Sequence, residues 1–345
     1  MRLAIGLLAV PFVTFAAHAE TKAPEPAALS ERATMLAPIQ VESLTLTPIV
    51  AAKAVDPKTD PGVIVLDEAF AQKVVAIREK DSESVNELTL QNKSDRPLFV
   101  LAGEVIIGGK QDRIIGTNTV IPAKTTQTVP VFCVEHGRWD DSGKEFTTAK
   151  ALAHGRLRGK ANFAAQGEVW AEVSTSNKSH VTENGTDTYR KIAEKQTTAG
   201  GLGKSEKLVE EALAKVPAAQ RAQMIGYVVA LNGKVATVDM FTSPALFKKL
   251  EAKLVKSYLT EAVGVTPVKG IVAPTSKDVK DFIADAEKAK TEKSFENGAS
   301  ITNRYSGART GKSSVTLKAK VNFSDNAAHP APPAAAPVYE SYQAK

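Results

Sequence analysis

The stretch Tyr227-Val-Val-Ala-Leu-Asn-Gly-Lys-Val-Ala-Thr-Val-Asp239 decides how the fold is read. Two β-branched runs flank Asn232-Gly233, and a two-residue turn of this composition is favoured because both positions tolerate positive φ. The segment is expected to form a β-hairpin with a type I′ turn. Ser243-Pro244 follows almost at once, a capping hydroxyl with a proline suited to the first helical turn. Leu246, Phe247, Leu250, Leu254 and Tyr258 then recur at helical spacing.

Upstream of the hairpin the chain reads as strands. Val85 to Gln91 alternates, Asn92 to Pro97 supplies turn chemistry, and Leu98 to Ala102 resumes as an apolar run. Arg113 to Val120 and Thr128 to Val134 are further β-branched runs separated by the Pro122 turn. Downstream, Ser205 opens a helix with Leu208, Val209, Ala212, Leu213 and Val216 as its stripe. Ser276 opens another with Val279, Phe282, Ile283 and Ala286. These stripes are expected to pack into a core. Ser314 to Phe323 alternates as a last strand. Strands followed by helices, without βαβ alternation, predict an α+β fold. Its first half is expected to hold a β-rich sheet or sandwich core, and its second half the hairpin with packed helices.

The ends bound the folded body. Met1-Arg2, the uncharged stretch Leu3 to Ala16, and the small-x-small ending Ala17-His18-Ala19 are the three parts of a signal peptide. Residues 1–19 are therefore expected to be removed and the protein exported, to the periplasm or beyond. Residues 20–44 lack a sustained period and read as a flexible leader. Residues 326–345, rich in Pro and Ala, read as a disordered tail. A single α+β domain is expected over 45–325, with no later run apolar enough to span a membrane.

Composition narrows the partners. The net charge is +6, with lysines scattered and only 6% aromatics, which argues against a dedicated nucleic-acid surface. The single cysteine, Cys133, rules out an internal disulfide and is either buried, paired with another molecule or reactive. Ala199 to Ser205 resembles the end of a phosphate-binding loop. The motif needs glycine where Thr198 stands, and no buried strand precedes it, so a loop entering a capped helix is expected.

Two segments could carry chemistry. In Leu101-Ala-Gly-Glu-Val-Ile-Ile-Gly-Gly-Lys-Gln-Asp-Arg113 the paired glycines allow a sharp bend or a close approach, and Gln111 and Arg113 alternate onto one face. In Val129-Pro-Val-Phe-Cys-Val-Glu-His-Gly-Arg-Trp139 a strand delivers Cys133 and Glu135 to one face and His136 to the other. A local Cys133–His136 dyad therefore needs a turn between them. A thiol nucleophile would otherwise need His154, His180 or His329 from elsewhere.

These two motifs, with Gly226 to Ala262, resemble the ARG-and-rhodanese-phosphatase-superfamily-associated protein domain over about residues 50 to 323. The resemblance implies a family of undetermined biochemical function. Its motif residues fall on Glu104, Gln111, Arg113, Cys133, Glu135, Arg138 and Trp139, and His136 stands where that family often has glutamine.

Three readings stay open. The first is a pocket for an anionic small molecule, a carboxylate or phosphate and nucleotide-like ones included. Gln111, Arg113, Arg138 and Trp139 would bind it, and Glu104 and Glu135 would serve as acid and base if the site is hydrolytic. The second is a non-enzymatic exported module whose Arg113–Glu135 and Arg138–Glu104 pairs only lock strands together. The third is a cysteine hydrolase using Cys133. The histidines show no paired-ligand spacing, so no metal is expected, and no cofactor.

Overall fold

Across the Asn232-Gly233 turn Leu231 pairs with Lys234, and φ is +49° and +78° at the two turn residues. Both values are positive, as a type I′ turn requires. The structure is a computed structural model. It describes residues 33–53, 55, 60, 62–80, 85–137, 145–182, 187–318 and 337–345. The expected signal peptide, Arg138 and Trp139, and the Phe323 end of the expected last strand lie outside the described residues.

The first elements are β1 (Ala33–Met35), β2 (Ile39–Val41), β3 (Leu44–Ala51), β4 (Ile64–Val65), α1 (Leu66–Ala71), β5 (Val75–Glu79), β6 (Glu87–Asn92) and β7 (Leu98–Val100). Then come β8 (Glu104–Gly108), β9 (Arg113–Ile115), β10 (Thr119–Ile121), β11 (Thr126–Cys133), β12 (Glu135–His136) and β13 (Glu145–Leu152). A mostly helical stretch follows: α2 (Gly155–Phe163), α3 (Gln166–Ser179), β14 (Asp187–Thr188), α4 (Arg190–Thr197), α5 (Lys204–Ala214) and α6 (Ala218–Arg221). The hairpin is β15 (Met224–Leu231) and β16 (Lys234–Phe241), trailed by α7 (Pro244–Val263), α8 (Ser276–Glu287), β17 (Thr291–Glu296), β18 (Ser300–Ser306), β19 (Thr310–Leu317) and β20 (Pro337–Ala344).

The fold is α+β. The β-rich first half closes into a barrel in the order β11-β6-β5-β13-β8-β9, antiparallel throughout. Alternate residues of these strands, among them Ile77, Leu88, Leu90, Ile106, Ile115 and Val131, form one buried cluster. The residues of opposite parity, Val105, Ile114 and Val134, pack under Leu157, Val169, Tyr189 and Ile192 of the helical stretch. Period-2 alternation thus sorts each strand between the barrel's lumen and its helix-covered outside.

The second half, joined by β1, β2 and β3 from the start of the described chain, builds a nine-stranded sheet in the order β1-β3-β15-β16-β20-β19-β18-β17, with β2 also on β3. Both faces of its centre are covered. Tyr227 and Val229 pack with Leu250, Leu254 and Tyr258 of α7, while Val228 and Val238 pack with Val279 and Ile283 of α8. Double burial explains why the hairpin reads as a continuous apolar run instead of alternating. Helix α7 starts as expected, with Ser243 Oγ accepting from Leu246 N–H. Helix α8 is capped by Thr275, whose hydroxyl accepts from Asp278 N–H.

Three expectations need correction. The leader ends earlier than residue 44, because Ala33 to Val41 supplies β1 and β2, both paired with β3. The tail is not disordered over 337–344: that stretch is β20, bonded to β16 on one side and β19 on the other. Residues 326–336 lie outside the described residues. Neither segment has an apolar period of its own to mark it as structured, and the order of both comes from partner strands. Arg113 to Val120 is two strands, since the chain leaves the barrel at Gly116. Asn118 then ties the crossing, accepting from Ala102 N–H at 2.7 Å and donating to Ser313 Oγ at 2.9 Å.

Helices α2, α3 and α4 were not anticipated. Their buried faces mix apolar positions, Leu157, Ala161, Val169, Val173 and Ile192, with polar ones, Arg158, Asn162, Ser176, Asn177 and Gln196, so each apolar stripe is short and interrupted. Among the described residues no helix is long and apolar enough to cross a membrane.

Candidate functional site

Strand register brings the two motif segments together. Cys133 on β11 pairs with Arg113 on β9. Past that pair, Gln111 Nε2 donates to the Glu135 carbonyl at 3.0 Å, and the Asp112 N–H donates to Glu135 Oε2 at 3.1 Å. The turn between β8 and β9 depends on its glycines. Gly108 and Gly109 have φ of +118° and +52°, and a Cβ on Gly109 would collide with the Phe146 ring, so only glycine fits.

The assembled group is deeply buried. Arg113 is 0% exposed, Cys133 and Glu135 are 3%, and Gln111 is 8%. Strand alternation puts His136 outside, where its ring meets Trp170 edge-on at 5.0 Å. Cys133 is clamped from the side by Gln166 on α3, which accepts from the Cys133 N–H at 2.9 Å and donates to its carbonyl at 2.8 Å. Burial pushes the Cys133 thiol up, against the pull of the Arg113 charge beside it. Asp112, fully buried, accepts a two-pronged bond from Arg190 at 2.6 and 2.8 Å.

Arg113 stands apart from the other paired arginines. Its Nη1 donates to the Gln111 carbonyl at 2.8 Å. Its Nε and Nη2 have no hydrogen-bond partner, and the nearest carboxylate is Glu79 Oε1, 3.8 Å from Nη2. Nε and Nη2 form the edge of a guanidinium that matches a carboxylate or phosphate bidentately. Arg190 uses that edge on Asp112, and Arg78 uses it on Glu145 at 3.0 and 2.8 Å. Glu79 Oε1 is instead occupied by the Lys110 N–H at 3.0 Å.

Glu104 does not join this group. It begins β8, about 13 Å along the strand from Gly108, and faces α7. Its Oε1 accepts from Lys253 Nζ at 2.8 Å and its Oε2 from the Leu101 N–H at 3.1 Å. Asp67 reaches the same Lys253 at 2.6 Å. Burial pushes the Glu104 carboxyl above its ordinary range, and the Asp67 charge adds to this while Lys253 opposes it. Lys253 loses from burial too, but the two carboxylates outweigh that and raise it. Two carboxylates, Glu104 and Asp67, thus share the Lys253 ammonium. The expected Arg113–Glu135 pair is replaced by Arg113–Glu79, and Glu104 pairs with a lysine of α7. Arg138 and Trp139 lie outside the described residues.

The model of the ARG and Rhodanese-Phosphatase-superfamily-associated Protein domain matches residues 32–329. The chain belongs to this family. Neither the curated proteins nor the solved structures yield a match. The family span covers the barrel and the body of the large sheet but stops short of β20. That strand nonetheless supplies Tyr339 to a buried cluster that sequence reasoning missed. Arg158 Nη2 donates to Asp239 Oδ2 at 2.7 Å, and Tyr258, within the family span, and Tyr339, beyond it, donate to the same carboxylate at 2.5 and 2.6 Å. The one legible hint was Gly103, where a Cβ would collide with the Arg158 stem.

Proposed function

We propose that this member of the family is an exported binding module for a small molecule carrying a carboxylate or phosphate, held by Arg113 at the end of the barrel. The observation that carries the reading is the bidentate edge of Arg113, buried and without hydrogen-bond partners. Leaving buried charged donors unbonded costs free energy that an anionic ligand would recover. Gln111 orients the guanidinium, and Glu79 is the carboxylate an incoming anion displaces. Binding is the supported activity. Hydrolysis would need Glu104 and Glu135 at one centre, and Glu104 is engaged with Lys253.

Thermal denaturation of the full chain with inorganic phosphate, succinate and ADP-ribose tests this. At least one probe is expected to raise Tm saturably, Arg113→Gln to abolish the shift, and Glu79→Gln to tighten binding. No shift with any probe overturns the reading. Should Arg113→Gln fail to fold, Glu79→Gln binding no tighter than wild type overturns it.

A second reading, a non-enzymatic module whose charge pairs serve only the fold, draws on the internally satisfied Arg158–Asp239 and Lys253–Glu104 pairs. It expects substitutions that break these pairs, such as Glu104→Gln, to make the chain unfold more easily, and no probe to bind. A cysteine hydrolase has less support, because Cys133 is buried and its backbone is clamped by Gln166. Export rests on residues 1–19. N-terminal sequencing of the protein recovered outside the cytoplasm is expected to begin at Glu20, and an intact Met1 would overturn it.

A further inference from the structure

A cleft of about 450 Å³ lies on another part of the molecule, between α2, α3, the end of α7 and the hairpin. Its walls include Arg156, Gly159, Glu172, Leu231, Ala236 and Glu261. Glu261 is 3% exposed, yet its Oε2 has no hydrogen-bond partner. The partner its other oxygen finds is Arg156, whose Nε stands 3.6 Å from Glu261 Oε1 and 3.6 Å from Glu172 Oε1. Both are ion-pair distances and neither is a hydrogen bond. The Arg156 side chain is 45% exposed, so the guanidinium is held loosely between two carboxylates.

The second carboxylate is charged and fixed. Burial alone would raise Glu172, but the hydrogen bond from His154 and the charges of His154, Arg156 and Lys160 bring it below its ordinary value. His154 Nε2 lies 3.0 Å from Glu172 Oε1 and 3.3 Å from Ser176 Oγ, with Tyr189 on its Nδ1 at 2.9 Å. Serine and glutamate both meet the same ring nitrogen, so this is no nucleophile relay. Its effect is to anchor Glu172. Lys160 is taken by Glu168 at 3.2 Å on the rim.

We infer that this cleft binds a small molecule bearing a protonated amine next to a short apolar part, its ammonium taking the place between Glu172 and Glu261 that Arg156 now fills. Two carboxylates spaced to straddle one cationic nitrogen, one of them short of a donor, suit an ammonium with three donors. Leu231 and Ala236 suit the carbon chain. Lys160 and Lys345 also line the cleft, but Lys160 is held by Glu168 and Lys345 by Ser306 and the Gly307 carbonyl, so the two carboxylates disfavour an anion between them. The inference is independent of Arg113.

Calorimetric titration of the full chain with pentylamine, and with valerate as the anionic control, tests it. Wild type is expected to bind pentylamine saturably in the millimolar range or tighter, and not valerate. Glu261→Gln weakens this by about tenfold or more, whereas Arg156→Ala, which removes the competing cation, strengthens it. Gly159 tolerates a side chain, since its Cβ would meet Gln343 Oε1 at 3.7 Å and nothing closer. Gly159→Met therefore fills the cleft and blocks binding while the helix stands. No saturable heat with wild type overturns the inference. So does equal binding by Gly159→Met, which decides the matter if Glu261→Gln does not fold.

Discussion

Tyr339 donates its hydroxyl to Asp239 Oδ1 at 2.6 Å across 100 residues of sequence. The bond closes a cluster to which β16, α2, α7 and β20 each contribute one residue: Asp239, Arg158, Tyr258 and Tyr339. Burial first, then the Asp239 charge, hold both tyrosines well above their usual range, so they stay neutral donors. Arg158 is raised too: burial is the largest single influence and opposes its charge, but Asp239 together with Tyr339 and Tyr258 outweighs it.

Replacing Tyr339 with phenylalanine leaves the ring packed against Phe99 and Phe241 but removes one of the donors to a buried carboxylate. The expected cost is about 1 to 3 kcal/mol, read as a lower midpoint in urea with an unchanged slope. A midpoint equal to wild type would mean the hydroxyl contributes nothing.

Arg158→Met should cost more. Breaking a buried ion pair from one side leaves the other charge uncompensated, at about 3 to 5 kcal/mol. Arg158→Met combined with Asp239→Asn should recover part of that loss, and a double-mutant cycle measures it. Purely additive losses would refute coupling within the cluster.

His180 gives a pH signature. It is 6% exposed, and its Nε2–H donates to the Thr260 carbonyl at 3.0 Å. Burial, followed by the charges of His154, Lys195 and Arg156, pushes it down from 6.5 to about 4. A depressed folded value means its stability contribution is complete above pH 6.5 and is lost as pH falls toward 4, on the order of 3 kcal/mol. The unfolding free-energy gap between wild type and His180→Asn should shrink over that window, and a gap independent of pH would contradict the assignment.

Cys133 should resist modification. The thiolate is the reactive form, and burial disfavours it here. An alkylating reagent at neutral pH is expected to label the protein only after denaturant is added, as followed by mass spectrometry. Labelling of the folded chain at the rate of a free thiol would restore a reactive role for this residue.

Elements with a self-contained signal were legible in the chain: the Asn232-Gly233 hairpin, the Ser243-Pro244 helix start and the β-branched runs of the barrel. The Arg113–Cys133 juxtaposition was half legible, since alternation told which side chains share a face. Which other strand they would face was not. Glu104 and Arg113 share one motif, yet strand β8 carries them apart, and Glu104 answers to a lysine 149 residues away.

The order of residues alone determined the α+β class, the turn chemistry and the family, because caps, turns and periodicity are local properties of a few neighbouring side chains. Only the tertiary structure decided that the Pro337–Ala344 segment is an inner strand, that Tyr339 and Arg158 meet on Asp239, and that Glu261 lacks a donor. Each of these is a long-range pairing of polar groups. Its free energy depends on what burial removes from water, and that is set only once distant segments have packed together.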